Sequence, residues 1–160
     1  MVGTKYVWSF LRITLGLIFL WSFFDKLFGF GFSTVSSKAW IEGISPTFGF
    51  LTYASKGPVA GFFKVIAGNI FVDWLFMTGL FLIGIALVLG IGIKIASYAG
   101  ALLMFLFWLV VLPKEHNPII DEHVLYFFIF IGLANIKEHW FSFNRRWRNI
   151  TIVKKYGFLV

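Results

Sequence analysis

The chain has 160 residues, of which 59% are hydrophobic and 13% charged, whereas a soluble domain carries roughly 25% charged and about 45–50% apolar residues. A soluble core of this size could not bury so much apolar surface, so the composition predicts one integral membrane domain. The absence of cysteine excludes a disulfide, a CxxC redox pair and a thiolate metal site in this chain, and the net charge of +7 is expected to serve topology and lipid contact rather than nucleic-acid binding.

The first apolar segment predicts transmembrane helix 1 over residues 6–28. It is longer than the apolar core of a signal peptide, and bulky aromatic residues stand where a cleavage site would need small ones. Arg12 is expected either to extend toward the membrane surface or to pack inward against a partner, because an unpaired charge in the bundle is costly. Lys26, near the other end, is expected to reach the opposite surface.

The long connection after helix 1 is amphipathic and predicts short helices on the membrane surface rather than a structureless loop. Phe48–Tyr53 is one such segment. Pro58–Ile66 is the second, because proline suits the first turn of a helix and the apolar residues after it recur at helical spacing. We expect Phe62 and Phe63 to contact lipid and Lys64 to contact water.

Helices 2 and 3 are predicted over residues 72–93 and 95–112. Asp73 stands at the start of helix 2, where a carboxylate can cap the helix. Helix 2 also carries a face of small residues, Gly79, Ala86 and Gly90. Such a face predicts close approach of a neighbouring helix.

The fourth apolar segment is short. Its uninterrupted part, Val124–Ile136, cannot cross about 30 Å of hydrocarbon, so a spanning helix 4 has to cover roughly residues 119–140. A tilted or re-entrant segment is the alternative. With a spanning helix 4, residues 1–141 form an all-α transmembrane four-helix up-down bundle, with short interfacial helices in the long loop between helices 1 and 2. Residues 142–160 then form a basic cytoplasmic tail.

The distribution of basic residues predicts how this multi-pass bundle lies in the cell membrane. The segment after helix 4 is rich in cations, namely Lys137, Arg145, Arg146, Arg148, Lys154 and Lys155. Lys5, Arg12 and the turn at Lys94 fall on the same side in an up-down arrangement. Both termini are therefore expected in the cytoplasm, and the start of helix 4 at the extracytoplasmic surface.

A polar cluster at the start of helix 4 is the candidate site. Ionisable groups at the depth of the membrane interface are costly, so a cluster of them beside an apolar slot is a functional-site hypothesis. Asp121, Glu122 and His123 are the catalytic candidates. Tyr126 lies one helical turn from His123 and is a substrate-binding candidate. We expect Asp121, His123 and Tyr126 to line one polar pocket with Lys26.

Further candidates for substrate binding are Lys26 and Arg12, which lie 14 residues apart on roughly the same face of helix 1, and Asp73. Each candidate also has a structural interpretation. Asp121 can cap helix 4, Glu122 can be solvated, and the remaining polar groups can serve as interfacial hydrogen-bonding or aromatic-belt residues.

Other cofactors fit the sequence less well. A bis-histidine haem needs two facing histidines, and only His116 and His123 share a side, with His116 in a loop. The sequence shows no flavin fingerprint or phosphate-binding loop, because its glycines stand inside apolar helices, and it shows no metal motif. An oxidoreductase role would therefore take its electron carrier from a partner or pass electrons directly to the acceptor.

The chain carries, in order, Arg12…Gly16-Leu17-Ile18-Phe19…Lys26, Ser45-Pro46-Thr47-x-Gly49-Phe50-Leu51, Lys56-Gly57-Pro58, Asp73-Trp74-Leu75, Gly84-Ile85-Ala86-Leu87-x-Leu89-Gly90 and Asn117-Pro118-x-x-Asp121-x-His123-x-x-Tyr126. The order and spacing of these motifs resemble the DoxX/DoxD family of small four-helix membrane proteins. The resemblance covers about residues 6–136 and leaves out the basic segment after Trp140.

The resemblance implies a four-helix bundle and a role like that of the DoxD subunit of thiosulfate:quinone oxidoreductase. Quinone would then be a substrate, and the partners would be other membrane subunits of a redox complex, with a homo-oligomer as a further arrangement. Two functions stay open: a subunit that passes electrons from a sulfur compound such as thiosulfate to quinone, and a non-catalytic anchor or accessory subunit of a larger respiratory complex. The clustered ionisable groups favour the first, and the missing electron-carrier motif favours the second.

Overall fold

The computed structural model describes residues 2–113, 117, 119–136 and 139–156. Within these ranges the chain is all-helical, with no β-strand. The α-helices are α1 (Val2–Phe28), α2 (Phe48–Tyr53), α3 (Ala60–Ile66), α4 (Ile70–Leu89), α5 (Ile93–Val111), α6 (Glu122–Asn135), α7 (Asn144–Arg148) and α8 (Thr151–Lys155). The expectations that involve Lys114, Glu115, His116, Pro118, Lys137 and Glu138 concern positions outside the described residues.

Among the described residues, three helices are long and apolar enough to cross a membrane, which indicates a membrane protein. They are α1, α4 and α5, with 27, 20 and 19 residues. A rise of about 1.5 Å per residue makes 20 residues roughly 30 Å long, which matches the hydrocarbon thickness of a bilayer. The composition therefore predicted the class of protein correctly.

The fourth long helix is shorter than the expected span of residues 119–140. Helix α6 has 14 residues, about 21 Å at the usual rise. It cannot begin earlier because Asp121 has an extended backbone, with φ −146° and ψ −172°, and it ends where Ile136 becomes extended, with φ −79° and ψ 128°. The uninterrupted apolar run is thus nearly the whole helix.

Helix α1 packs along α4 through two glycines. A methyl group added to Gly16 would lie 2.8 Å from Val88 Cγ2, and one added to Gly84 would lie 2.7 Å from Leu20 Cγ. The prediction of close approach at Gly79 was wrong, because nothing described lies within 4 Å of a methyl group built there. Gly90 instead ends α4, with φ 69°.

The core lies where α6 meets α1 and α5. The Phe130 ring is fully buried and packs edge-on against Phe19, with ring centroids 5.5 Å apart. It also fills the space beside Gly100 of α5, where a methyl group would lie 2.5 Å from the ring. Burial of such aromatic side chains fixes the position of α6 despite its length.

One or two short helices were expected in the connection between α1 and α4, and two are observed, the second beginning at Ala60 rather than Pro58. Two 3-10 turns, Ser36–Lys38 and Trp40–Glu42, precede them. The expectation that both Phe62 and Phe63 contact lipid was wrong for Phe63. Phe62 is 65% exposed, whereas Phe63 is 6% exposed and packs with Leu51 and Val110. Helix α3 therefore packs, through Phe63, against Val110 near the end of α5.

We expect Gly16→Ala to lower the free energy of unfolding by about 1–3 kcal/mol, because the added methyl group forces α1 away from α4. Gly79→Ala is the matched control and should be neutral or stabilising by up to about 1 kcal/mol, since alanine is the better helix former and has room there. Denaturant unfolding of both variants in detergent measures the difference. Equal effects of the two substitutions would contradict the glycine contact.

Candidate functional site

The first turn of α6 is organised by Asp121. Its Oδ1 accepts hydrogen bonds from the backbone N–H groups of His123 and Val124, at 3.1 Å and 3.2 Å. Two of the amides left unpaired at a helix start are thereby satisfied, and the negative charge lies at the positive end of the helix dipole. The prediction that Asp121 caps this helix is confirmed.

The same carboxylate positions the imidazole of His123. Asp121 Oδ2 lies 2.6 Å from His123 Nδ1, and the two side chains are 4% and 15% exposed. A carboxylate at this distance favours a proton on Nδ1, so Nε2 is the ring nitrogen left to accept a proton or hydrogen bond. Glu122 contributes less, because its side chain is 63% exposed and its Oε1 lies 3.9 Å from Nδ1.

A cavity of about 570 Å³ lies beside His123, between the long helices and the α2–α3 connection. His123, Tyr126 and Lys26 all line it. Three of the four residues expected to share a pocket are therefore brought together. The fourth, Asp121, is not among the described lining residues and acts on the cavity through His123.

The polar lining groups are concentrated at one end of this cavity. Lys26 stands in the last turn of α1, His123 in the first turn of α6, and Thr47 just before α2. Ser22 joins them one turn below Lys26, and neither Thr47 nor Ser22 was singled out from the sequence. The remaining described lining is almost wholly apolar and continues along α1 as far as Leu15.

The dimensions and lining of this cavity suit an elongated apolar molecule with one polar end. Its volume falls within the roughly 300–1,000 Å³ typical of small-molecule sites. The edge of the His123 ring packs against Phe107, with centroids 5.7 Å apart, so the imidazole has a fixed orientation in the wall. Lys26 supplies a cation at the same end.

Arg12 is not among the described residues that line this cavity; it lies one turn before Leu15 in α1 and is fully buried. Its Nη1 donates to the carbonyls of Leu87 and Val88, in the last turn of α4. Its Nη2 donates to the carbonyls of Trp140, at 3.1 Å, and Phe141, at 2.8 Å. Of the two roles expected for Arg12, the inward one with partners is the one observed, and the partners are backbone carbonyls.

The imidazole of His139 lies near this arginine, whose positive charge acts on it. The described hydrogen bonds of Arg12 itself are all with backbone carbonyls, so this corner serves structure rather than proton transfer.

Asp73 has a different position from the one expected. Asn69 caps α4 instead, since its side chain accepts from the backbone N–H groups of Phe71 and Val72. The Asp73 carboxylate is 5% exposed and faces back toward the preceding connection, away from the cap position. It is not among the described residues that line the His123 cavity.

Asp25 was not singled out from the sequence, although it is 1% exposed. Its carboxylate accepts from the backbone N–H of Ser33 at 3.0 Å, from the Ser33 hydroxyl at 2.6 Å and from the backbone N–H of Phe32 at 3.3 Å. These bonds fix the turn that follows α1, and so the position of its last turn, which carries Lys26. An aspartate shortly before a glycine-containing turn is the sequence signal that was available.

Asp121, Glu122 and His123 also form a group whose oxygen and nitrogen atoms lie within 4.8 Å of one another. Three consecutive residues present ligands from one side only, and Asp121 Oδ1 is already engaged by two amides. The contacts of this group are therefore those of a helix cap, Asp121, that also orients the ring of His123.

Comparisons of the chain with protein-family models, with curated proteins and with solved structures found no match.

We expect Arg12→Gln to lower the free energy of unfolding by at least about 2 kcal/mol, because buried carbonyls at the end of α4 and at Trp140–Phe141 lose their donors. Arg12→Lys should recover part of this loss, since it keeps the charge but not the forked geometry. Arg145→Gln removes an exposed cation and is the control. Unfolding in detergent measures all three, and an unchanged midpoint for Arg12→Gln would contradict the structural role.

Proposed function

We propose that the chain is the quinone-reactive membrane subunit of an oxidoreductase that resembles the DoxX/DoxD family, and that its quinone site is the cavity beside His123. One observation supports the proposal most directly. A protonatable histidine held by a carboxylate, a phenol and an ammonium group border one end of a cavity that is otherwise apolar.

This distribution matches the chemistry of a membrane quinone. The quinone head group carries two carbonyl oxygens that accept hydrogen bonds, whereas its isoprenoid tail is apolar and belongs at greater membrane depth. Lys26 and Tyr126 can each donate to a head-group oxygen, and His123 can donate from Nε2 once that nitrogen carries a proton. The apolar lining from Phe107 toward Leu15 offers a path for the start of the tail.

Conversion of a quinone to a quinol consumes two electrons and two protons. In its imidazolium form, His123 can release the Nε2 proton to one head-group oxygen and regain it from the aqueous surface, which also supplies the second proton. Asp121 stabilises the imidazolium form and keeps the ring oriented. Lys26 stabilises negative charge that develops on the quinone oxygens. The electrons come from a sulfur compound such as thiosulfate through a partner subunit, because this sequence carries no electron-carrier motif.

We also propose that the chain crosses the cell membrane four times, with both termini in the cytoplasm. His123 borders the same cavity as Lys26 near the end of α1, whereas Trp140 and Phe141 contact Arg12, and Phe143 N–H donates to Leu89 O at the end of α4. These contacts support a crossing between residues 123 and 140. The short α6 then needs its flanking residues, or local thinning of the bilayer, to complete the crossing.

A non-catalytic anchor or accessory subunit is the second candidate. It is favoured by the use of Arg12 and Asp25, two buried charged groups, in bonds that hold the backbone in place. The two candidates differ in one respect: only the first requires His123 for turnover.

We expect His123→Ala to lower quinone-linked turnover of the assembled complex by roughly 10²–10⁴-fold, the range for loss of a proton-transfer group. Asp121→Asn should also lower turnover but keep the fold, because asparagine caps a helix about as well as aspartate and loses only the charge. Glu122→Gln is the matched control, since it removes an exposed neighbouring charge that does not border the cavity.

Turnover is measured in native membranes with the donor and a soluble quinone, and helix content and insertion are checked for each variant. Full turnover in both His123→Ala and Asp121→Asn would refute the catalytic role and leave the anchoring role. Loss of turnover in Glu122→Gln alone would contradict a quinone site in this cavity, because Glu122 does not border it.

A single cysteine tests the orientation, because the native chain has none. We expect Ile150→Cys to react with a membrane-impermeant maleimide only after cells are permeabilised, since the basic segment around α7 and α8 should remain in the cytoplasm. Ile150 is 46% exposed, so the thiol is accessible to the reagent in either orientation. Labelling in intact cells would reverse the proposed topology.

A further inference from the structure

A second cavity, of about 480 Å³, lies at the end of α1 beside the start of α4. Its described lining consists of Leu27, Trp40, Ile41, Gly43, Ser45, Gly68, Ile70, Asp73 and Trp74. None of these residues is among the described lining of the cavity beside His123. The two cavities are therefore separate sites on the same end of the molecule.

The charged group of the second cavity is Asp73, whose side chain is 5% exposed. Its Oδ1 accepts hydrogen bonds from the hydroxyls of Ser45, at 2.8 Å, and Thr47, at 2.5 Å. Its Oδ2 has no hydrogen-bond partner among the described residues, and Asp73 lines the cavity. In the described ranges no lysine, arginine or histidine lies within 4.0 Å of the carboxylate.

Two tryptophans stand beside this carboxylate. The rings of Trp40 and Trp74 meet edge to face, with centroids 4.7 Å apart and an angle of 72°, and both line the cavity. The face of an indole ring attracts cations more strongly than any other side-chain ring. A buried carboxylate and two indoles around one space therefore form a site selective for positive charge.

We propose that this second cavity binds an organic ammonium group, with Asp73 Oδ2 accepting its hydrogen bond and the rings of Trp40 and Trp74 contacting its methylene groups. The volume is far larger than an inorganic ion requires, and a hard metal ion would demand more oxygen ligands than one carboxylate offers. A neutral ligand would leave a buried carboxylate without a compensating charge.

The rim of the cavity indicates where such an ammonium group can come from. Ile41, Ile70 and Trp74 are 59%, 64% and 58% exposed, and tryptophan is enriched in the interfacial layer of membrane proteins. An ethanolamine-type lipid head group lies in that layer, and a soluble amine can reach it from water. Both sources present the same ammonium chemistry.

Competitive lipid retention tests the proposal on the purified full-length chain. Phosphatidylethanolamine and phosphatidylglycerol with identical acyl chains are supplied in equal amounts, and the bound ratio is read by native mass spectrometry. We expect Asp73→Asn to lower the ratio of retained phosphatidylethanolamine to phosphatidylglycerol roughly tenfold, about what one lost ammonium contact is worth. Phosphatidylglycerol reports binding to the basic residues near α7 and α8, which the substitution leaves unchanged.

Matched variants separate this site from general effects. Asparagine can still accept from Ser45 and Thr47, so Asp73→Asn should keep the local structure. Trp74→Leu changes an exposed ring and should lower the same ratio. This second variant tests the site even if Asp73→Asn is unstable. Glu42→Gln removes an exposed carboxylate nearby and should leave the ratio unchanged.

Millimolar ethanolamine, added to wild type and to Asp73→Asn in a thermal-shift assay, distinguishes the two sources. If retention of phosphatidylethanolamine depends on Asp73 and ethanolamine does not change the thermal stability of the wild type, the ligand is a lipid. Stabilisation of wild type but not of Asp73→Asn by ethanolamine identifies a soluble amine. If the wild type shows neither response, or if Asp73→Asn and Trp74→Leu both respond as the wild type does, the proposal is overturned.

Discussion

A buried arginine joins three parts of the chain at one end of this protein. The guanidinium of Arg12 contacts carbonyls in the last turn of α4 and in the turn at Trp140–Phe141, and no part of it is exposed. A charge inside a membrane protein is costly without partners, and the last carbonyls of a helix are unpaired and partially negative. Each group compensates the other, so α1, α4 and the segment after α6 are held together.

The polar groups at the end of the molecule that carries Lys26 and His123 position side chains beside two cavities. There Asp25 and Asp121 fix the turn after α1 and the first turn of α6, which hold Lys26 and His123 beside one apolar cavity. Asp73 sits in a separate cavity with two tryptophans. Buried charged groups thus hold the backbone at both ends. Among the described residues, the ionisable groups that border these two cavities, Lys26, His123, Tyr126 and Asp73, all lie at this second end.

Composition and apolar run length were enough to predict a helical membrane protein, because both are properties of the sequence alone. The cap at Asp121 was also predictable, since a short polar residue before an apolar run satisfies amides of its own helix. Contacts between distant segments were not. Arg12 meets residues about 75 and 128 positions away, and Phe63 turns inward because α3 lies against α5, so neither could be inferred from local periodicity. The close α1–α4 contact occurs at Gly16 and Gly84 rather than at Gly79, because the helix face that packs depends on a neighbour's position.

Photoaffinity labelling tests the quinone site most directly. Native membranes that contain the chain are illuminated with an azidoquinone, and the labelled peptides are located by mass spectrometry with and without excess unmodified quinone. We expect competed labelling on α5 near Phe107 and on α6 near His123, since both border the cavity. Labelling confined to the exposed face of α6 at Leu125 and Phe128, or labelling that excess quinone does not reduce, would contradict a quinone site in this cavity.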